Sequence, residues 1–434
     1  MIKDTERKEK RKMKFKFVSV LLALCTVAGS MTMPAFTENV QAAQTENSAQ
    51  TEENSSAKED ALEDYQYKIL EDNTVEITNY KGTETALVIP ETIEQKPVTA
   101  LASGAFSELE NVESITIPKG VTSLPDYVFA YCDSLEQVIF PEGLKAIGEG
   151  VFTGCKSLKS LTLPDSLRDI DFSAFSGCTA LSDITFPKNL EYVGQDAFLR
   201  CTSLKKVVFS EGLYRIGEGA FKNCSKLEKI ELPLSIKEIA ANAFNGCDNL
   251  KTVNYAGSKS DRKKMRLIGE GNAPLLQSAI TYGSTGKTER FAPKKGAQIK
   301  AGSNTYQVKT DVSELAFVKT TNKAANITVQ DYVTIDGIYY TVASVTKNAF
   351  QNNKKITKVT IQGDIKSIGK SAFRGCSKLN KIVIRSYQLE SVGANAFKGI
   401  SSTAQIKVPD LQLNEYKKIL KNKGQGSRVK IVAY

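Results

Sequence analysis

A spacing of 23 residues between similar segments is the feature that most constrains the fold of this chain. Six cysteines stand 23 residues apart, and a phenylalanine precedes each cysteine by three residues. The cysteines are Cys132, Cys155, Cys178, Cys201, Cys224 and Cys247, and the phenylalanines are Phe129, Phe152, Phe175, Phe198, Phe221 and Phe244. The phenylalanine series also includes Phe106, Phe350, Phe373 and Phe397. A fixed period of this length is typical of a solenoid, in which each repeat forms one coil and stacked coils share a core.

Each repeat contains two short segments that are predicted to point apolar side chains inward. In one repeat, Leu161 and Leu163 alternate with polar residues, which is the pattern of a short, half-buried strand. Pro164 has no amide donor and therefore ends this strand. Leu167 and Ile170 then form a second inward-facing strand or turn.

A glycine follows the second segment in several repeats, at Gly148, Gly194 and Gly217, and Asp171 interrupts this series. We expect these glycines to adopt an unusual backbone angle in a tight bend.

The repeat resembles one class of leucine-rich repeat. Its pattern is Leu-x-x-Ile-x-Phe-Pro-x-x-Leu-x-x-Ile-Gly-x-x-Ala-Phe-x-x-Cys, and residues 181–201 match it almost completely. This pattern resembles the BspA-like leucine-rich-repeat surface proteins. The resemblance implies a leucine-rich-repeat solenoid, rich in β-structure with short helical or 3-10 turns.

The repeats stop at about residue 284 and resume near residue 341, so the sequence predicts two solenoid bodies in tandem. The first body, 65–284, has segments that resemble the family's opening cap at its start and its closing cap over 255–282. Arg262 occupies a position of the closing cap where the family often has tryptophan. The second body, 285–434, is predicted to begin with a β-rich opening cap, in which Asp336-Gly337 marks a hairpin. We expect a helix at Leu411–Leu420, before Gly424, to close it.

The N-terminal segment has the features of a secretory signal peptide. Residues 1–42 contain a basic start, an apolar run and small residues before a cleavage site near Ala42. The alternative is a membrane anchor that is never cut. Residues 43–64 are polar and acidic, which predicts a disordered spacer. The C-terminal residues have neither a sorting motif nor a hydrophobic anchor. We therefore expect a protein that is secreted or lies at the bacterial cell surface without a covalent anchor.

The formal net charge of +10 conceals two regions of opposite sign. Residues 43–284 contain 24 basic and 35 acidic residues, whereas residues 285–434 contain 26 basic and 9 acidic ones. A basic second body favours binding to polyanions such as anionic cell-wall polymers. The alternative is that its lysines serve only to keep an exported domain solvated.

The composition argues against several kinds of catalytic or metal site. The chain has no histidine, so it can form neither a Ser-His-Asp triad nor a His-ligated metal site. It has no tryptophan, the side chain that most often stacks on sugars. The repeated cysteines alternate with Leu109, Asn353 and Ile400 at equivalent positions, as core-filling residues do. We expect buried free thiols, although export to an oxidising compartment would favour disulfides between neighbouring coils. The sequence predicts no enzyme activity, cofactor or metal.

The exposed side of the predicted first strand is a candidate binding surface. Its exposed residues are the fifth and seventh after each cysteine position. The fifth positions are Ser114, Gln137, Ser160, Asp183, Lys206, Lys229 and Thr252, and the seventh are Thr116, Ile139, Thr162, Thr185, Val208, Glu231 and Asn254. We expect a ligand to bind Ser160, Thr162, Asp183, Thr185, Lys206, Lys229 and Glu231. Asp183 and Glu231 lie two coils apart, further than about 9.5 Å, which is too far for the paired carboxylates of a glycosidase.

The equivalent residues of the second body are Lys358, Thr360, Lys381, Val383, Gln405 and Lys407. Of these, Lys358, Lys381 and Lys407 are the candidates for binding a polyanion.

The leading hypothesis is a secreted or cell-surface module for adhesion and protein interaction. The resemblance implies partners such as extracellular or host matrix proteins, or other cells. An alternative is a structural protein whose basic second body binds anionic cell-wall polymers. A third hypothesis, a hydrolase, would depend on Asp183 or Glu231. We expect no nucleic-acid partner, because export and the lack of interleaved aromatic residues argue against one.

Overall fold

The computed structural model describes residues 63–309 and 312–434, and its main feature is a stack of coils. Each coil contributes a front strand, a turn, a second strand and a return turn. Neighbouring coils pair in parallel at a register offset of one repeat, as in the pairing of Leu161 with Ile184. The leucine-rich-repeat solenoid predicted from the sequence is confirmed, as are its two bodies in tandem.

The chain begins with a small sheet that covers the open end of the first coil. Its strands are β1 (Tyr65–Ile69), β2 (Val75–Tyr80), β3 (Ala86–Val88), β4 (Thr92–Ile93) and β5 (Lys96–Leu101). Strands β1, β2, β5 and β4 form one sheet, and β3 begins the row of front strands. The ring of Tyr80 stacks on Phe106, with ring centroids 5.5 Å apart. The opening segment therefore shields the first phenylalanine of the repeat series from water.

The repeats of the first body alternate a front strand of three or four residues with a second strand of two. In chain order these are β6 (Ser114–Thr116), β7 (Ser123–Leu124), β8 (Gln137–Ile139), β9 (Ala146–Ile147), β10 (Ser160–Thr162), β11 (Asp169–Ile170), β12 (Asp183–Thr185), β13 (Tyr192–Val193), β14 (Lys206–Val208), β15 (Arg215–Ile216), β16 (Lys229–Leu232) and β17 (Glu238–Ile239). The middle residue of each front strand is buried and its neighbours face outward, because side chains alternate across a strand.

The core between the two rows of strands is a stack of identical residues. The ring of Phe175 lies between those of Phe152 and Phe198, at centroid distances of 5.2 and 5.1 Å. The repeated cysteines are buried free thiols, as the sequence predicts, whereas Cys25 lies outside the described residues. Each coil alone would expose this apolar surface, so the stacking of coils is what buries it.

The glycine after the second strand has a different role from the predicted one. The φ angles of Gly148, Gly194 and Gly217 are not positive. A Cβ atom on Gly194 would lie 2.5 Å from the carbonyl carbon of Asp171 in the preceding coil. Close approach of two backbones therefore requires this glycine. The left-handed angles occur two and six residues later, for example at Asp196 (φ 52°) and Arg200 (φ 62°).

The first body closes with two short helices between strands. In chain order the elements are β18 (Thr252–Tyr255), α1 (Lys259–Lys264), β19 (Arg266–Ile268), α2 (Ala273–Gln277), β20 (Ala279–Tyr282) and β21 (Thr288–Arg290). Ser258 and Asp261 form a capping box at the start of α1. The antiparallel pairing of β21 with β20 ends the row of front strands in the first body.

The second body begins with the predicted β-rich segment. Its strands are β22 (Gln298–Ala301), β23 (Asn304–Val308), β24 (Glu314–Thr320), β25 (Asn326–Val329), β26 (Tyr332–Ile335) and β27 (Ile338–Val345). The hairpin predicted at Asp336-Gly337 joins β26 to β27.

The row of second strands runs through both bodies without a break. Strand β27 of the second body pairs in parallel with β19 of the first, so Leu267 lies opposite Ile338. Arg262 is buried at this junction, where its Nη1 donates a hydrogen bond to the carbonyl oxygen of Asp336 over 2.8 Å. Its guanidinium carbon lies 5.5 Å from the centroid of the Phe291 ring. The hydrogen bond to Asp336 thus joins the two bodies, whereas Phe291, whose amide donates to the carbonyl oxygen of Ser278, belongs to the closing segment of the first body.

The last elements are β28 (Lys358–Ile361), β29 (Ser367–Ile368), β30 (Lys381–Ile384), β31 (Ser391–Val392), β32 (Gln405–Val408), a 3-10 turn (Asp410–Gln412), α3 (Leu413–Leu420) and β33 (Lys430–Ala433). The predicted final helix is present, but its first turn is a 3-10 turn. The α-helix ends at Leu420 with Lys421 in an extended conformation, so Gly424 does not cap it.

Two predictions concern residues outside the described part of the chain. These are the signal peptide at 1–42 and nearly all of the acidic spacer at 43–64. Within the described residues, no helix is both long and apolar enough to cross a membrane.

Candidate binding surface

The exposed sides of the front strands in the first body make up a face that we call the front face, and its strands pair in two groups, β3–β6–β8 and the row that begins at β10. Parallel pairing aligns equivalent residues of successive coils into two columns. The fifth-position column includes Ser160, Asp183, Lys206, Lys229 and Thr252, and the seventh-position column includes Thr162, Thr185, Val208, Glu231 and Asn254. All seven residues predicted to bind a ligand lie in these columns and are exposed or half-buried. Whether they bind a ligand stays a prediction.

Three charged residues of the front face form an ion cluster with a net charge of +1. Glu231 Oε1 lies 3.0 Å from Lys206 Nζ and 2.9 Å from Lys229 Nζ. Hydrogen bonds from Lys229 and Lys206 lower the pKa of the Glu231 carboxyl below its usual value. These three residues, which are predicted to bind a ligand, therefore bind one another, with the carboxylate between the two ammonium groups.

Another part of the front face contains a shallow hollow of about 520 Å³. Ser160, Thr162, Asp183 and Thr185 line it, and the side chains of Lys188 and Asp165 border it with an ion pair of 2.9 Å. A second hollow, of about 370 Å³, lies at the other end of the face beside Glu231. Neither encloses a small molecule in the way that a typical ligand pocket does.

The front face also carries apolar residues that the sequence-based choice of site residues left out. Upstream of Thr162 the seventh positions are Ile139, Thr116 and Val88 in that order, and Ile139 and Val88 are 47% and 66% exposed. With Thr162, Thr185 and Val208, these residues make the column a series of β-branched side chains. Side chains alternate along each strand, and this alternation places Ile139 on the outward side. An apolar residue at an outward position could therefore have indicated a binding surface from the sequence alone.

The carboxylates of the front face are not arranged for general acid–base catalysis. Asp183 is in β12 and Glu231 is in β16, in different columns and with β14 between them. A general acid needs a raised pKa, whereas the pKa of Glu231 is lowered. Within the described residues, no cluster of acidic or cysteine side chains is suited to bind a metal ion.

Two of the three lysines predicted to bind polyanions lie side by side in the second body. Lys358 in β28 pairs with Lys381 in β30, and the column continues through Gln405 to Lys430 in β33. Lys407 lies in the other column, beside Val383. Val383 was expected to be exposed, but it is buried. In the part of the chain that the structure describes, none of these four lysines forms an ion pair.

Comparisons with known proteins found several similar solved structures. A leucine-rich cell surface protein from Faecalibacterium prausnitzii is 20% identical, with 93% of this chain and 96% of that chain covered and a TM-score of 0.43. A leucine-rich repeat protein from T. pallidum is 31% identical, with 48% of this chain and 85% of that chain covered and a TM-score of 0.33. The pneumococcal vaccine antigen PcpA is 18% identical, with 85% of this chain and 96% of that chain covered and a TM-score of 0.32. A comparison with curated proteins gave no significant match.

The repeats themselves match a family model. The model describes the BspA-type leucine-rich repeat region, and it matches residues 99–228, 197–264 and 310–422. These matches cover more than half of the chain and include repeats of both bodies. The chain therefore belongs to the BspA-type leucine-rich repeat family.

Proposed function

We propose that this protein is a secreted or cell-surface adhesion module that binds an extracellular or host matrix protein with its front face. The observation that carries the proposal is the seventh-position column, in which β-branched side chains, each exposed or half-buried, follow one another in two runs of paired strands, Val88–Thr116–Ile139 and Thr162–Thr185–Val208. Family membership supports a role in protein interaction.

A protein partner fits the shape of the front face better than a small molecule does. Its strands lie about 4.8 Å apart, so six of them extend about 24 Å along the stack, and an extended partner surface can contact several coils at once. The hollows are shallow, and their polar groups are spread along the face rather than converging on one point. Short Thr and Val side chains lose little conformational entropy when a partner covers them.

An array of purified extracellular-matrix proteins tests the proposal. Thr162→Arg with Thr185→Arg adds two bulky cations at the centre of the front face. Thr179→Arg with Gln195→Arg makes the same charge change at exposed positions outside both columns. The proposal predicts that the wild type and the second variant bind at least one matrix protein, and that the first variant loses at least tenfold in affinity. Failure of the wild type to bind, or equal binding by both variants, contradicts the proposal.

Export is part of the same proposal. Residues 1–42 have the order of a signal peptide, and cleavage near Ala42 would release the chain. N-terminal sequencing of the protein recovered from culture medium and from washed cells tests this. An intact N-terminus in a membrane fraction contradicts release of the chain.

A second candidate function is retention on anionic cell-wall polymers, favoured by the unpaired lysine column of the second body. Lys358, Lys381 and Lys430 lie in one column across three strands, and none of them forms an ion pair with another described residue. Attraction of this kind weakens as salt shortens the Debye length from about 10 Å at 0.1 M to about 3 Å at 1 M.

Binding to isolated cell walls at the two salt concentrations tests this candidate. Lys358→Gln with Lys381→Gln should release the protein at lower salt than the wild type needs. Lys417→Gln with Lys418→Gln removes the same charge from exposed positions in α3 and should have a smaller effect. Equal release of the two variants would show that net charge alone, and not the lysine column, retains the protein.

A further inference from the structure

Two exposed tyrosines in the first body occupy a backbone conformation that tyrosine rarely adopts. Tyr127 and Tyr131 have φ angles of 58° and 60°. The left-handed angle is shared by these two positions in other coils, so what distinguishes this coil is the bulky aromatic side chain that each position carries. Equivalent positions of later coils carry small or polar residues, including Asp196, Asn242 and Asn223.

Both tyrosine rings lie against the glycines of the next coil. A Cβ atom on Gly150 would be 2.3 Å from Cε1 of Tyr127, and one on Gly154 would be 2.6 Å from Cδ1 of Tyr131. The rings therefore fill the space that side chains at Gly150 and Gly154 would occupy. About half of each tyrosine stays open to solvent, 41% of Tyr127 and 53% of Tyr131. Each ring therefore contacts the backbone of the next coil and stays partly open to solvent.

Polar groups border this pair of rings, which we call the tyrosine platform. The hydroxyl of Tyr127 donates a hydrogen bond to Glu149, which raises the pKa of Tyr127 to about 12. The backbone amide of Glu149 donates to Oδ1 of Asp126 over 2.9 Å. The platform thus combines apolar ring surfaces with a hydroxyl and two carboxylates at their edge. It lies on the turn after the second strand, away from the columns of the front face.

We propose that the tyrosine platform is a binding site for neutral pyranose glycans. A pyranose ring has an apolar C–H face that stacks on an aromatic ring, and a rim of hydroxyl groups that donates hydrogen bonds to carboxylates. Tyrosine offers an apolar body with a polar tip, and Asp126 and Glu149 supply acceptors beside it. The same carboxylates oppose acidic sugars through like-charge repulsion.

The later coils supply a substitution that tests the site without disturbing the fold. Asn242 and Asn223 hold the positions of Tyr127 and Tyr131 in later coils, both with positive φ, so Tyr127→Asn with Tyr131→Asn fits the same backbone. Asparagine tolerates this conformation better than tyrosine does, so the melting temperature should not fall. Tyr214→Asn removes an exposed tyrosine, 46% exposed, from another part of the surface and is the matched control.

The full mature chain is applied to an array of neutral, amino-substituted and acidic pyranose oligosaccharides. We expect the wild type and Tyr214→Asn to bind neutral members, and the double Asn variant to lose at least tenfold in affinity at unchanged melting temperature. The proposal is wrong if the wild type binds no neutral glycan, if it binds acidic ones alone, or if the double variant binds equally well. The front-face variant should keep glycan binding, so failure here is distinguishable from failure of the matrix-protein proposal.

Discussion

The thiol of Cys178 donates a hydrogen bond to the carbonyl oxygen of Phe152 over 3.2 Å. The same contact recurs along the stack, as in Cys155 with Phe129 and Cys201 with Phe175. Each thiol thus donates to a buried carbonyl group of the preceding coil, and the carbonyl of Phe152 also accepts from the amide of Cys155. The cysteine column serves the structure as both a small apolar filler and a hydrogen-bond donor.

These thiols should be inert in the folded protein. Burial raises the pKa of Cys178 well above its usual value, so the reactive thiolate is scarce at pH 8. We predict that a thiol-reactive reagent modifies none of the seven described cysteines under native conditions, and all seven in denaturant at the same pH. Peptide mapping by mass spectrometry gives the sites. Rapid native modification, or a disulfide-linked pair, would contradict the description of the column.

The phenylalanine stack should carry much of the stability of the first body. Phe175 is fully buried between two rings, whereas Phe172, three residues earlier, is 36% exposed. Phe175→Ala should lower the free energy of unfolding by about 3–5 kcal/mol, because it leaves a cavity in a rigid stack. Phe172→Ala should cost much less. Thermal unfolding of the two variants makes the comparison, and similar melting temperatures would refute it.

The junction between the two bodies should be intolerant of added volume at Gly337. A Cβ atom there would lie 2.4 Å from the carbonyl oxygen of Met265, across the junction. Gly302 also has positive φ but has no atom within 4 Å of such a Cβ. Gly302→Ala should cost about 1–2 kcal/mol from its backbone angle alone. Gly337→Ala should cost about 1–3 kcal/mol more because of overpacking. Equal unfolding midpoints in urea would mean that the bodies are not in close contact there.

The ion cluster on the front face predicts a pH effect with a definite sign. Contacts with Lys229 and Lys206 lower the pKa of Glu231 in the folded protein. Its ionised form therefore favours folding above the unfolded pKa of about 4.3, and this contribution is lost as pH falls through the lower folded pKa. Lys206→Gln with Lys229→Gln should move the Glu231 titration upward, as measured by NMR of its carboxyl carbon. An unchanged midpoint would show that the lysines do not contact Glu231 in solution.

The sequence predicts the coils and the front face because both depend on local, repeated signals. The spacing of Phe152 and Phe175 defines the coil, and the alternation around Leu161 defines which side chains face outward. Parallel pairing at a fixed register then places Thr162 beside Thr185.

Features that depend on contacts between distant segments could not be predicted. The carbonyl oxygen that receives the Arg262 hydrogen bond is 74 residues away, and the pairing of β19 with β27 depends on the same long-range contact. The sequence predicts that Gly194 is needed for an unusual φ. Glycine is needed there instead because the backbone of Asp171, one coil earlier, leaves no room for a side chain, and this contact forms only when the coils stack. The tyrosine platform was missed for the same reason, since its rings rest on glycines of another coil.

The central claim is that the front face binds a protein, and site-directed blocking tests it most directly. Because the native thiols are buried, a new surface cysteine is the only accessible thiol expected among the described residues, and a polyethylene glycol maleimide can be attached to it. Thr185→Cys places the polymer on the front face, and Gln195→Cys places it on the turn after the second strand of the same coil. We predict that the polymer at 185 abolishes binding to the matrix-protein array, while the polymer at 195 leaves binding within twofold of wild type. Full binding with the polymer at 185 would contradict the account.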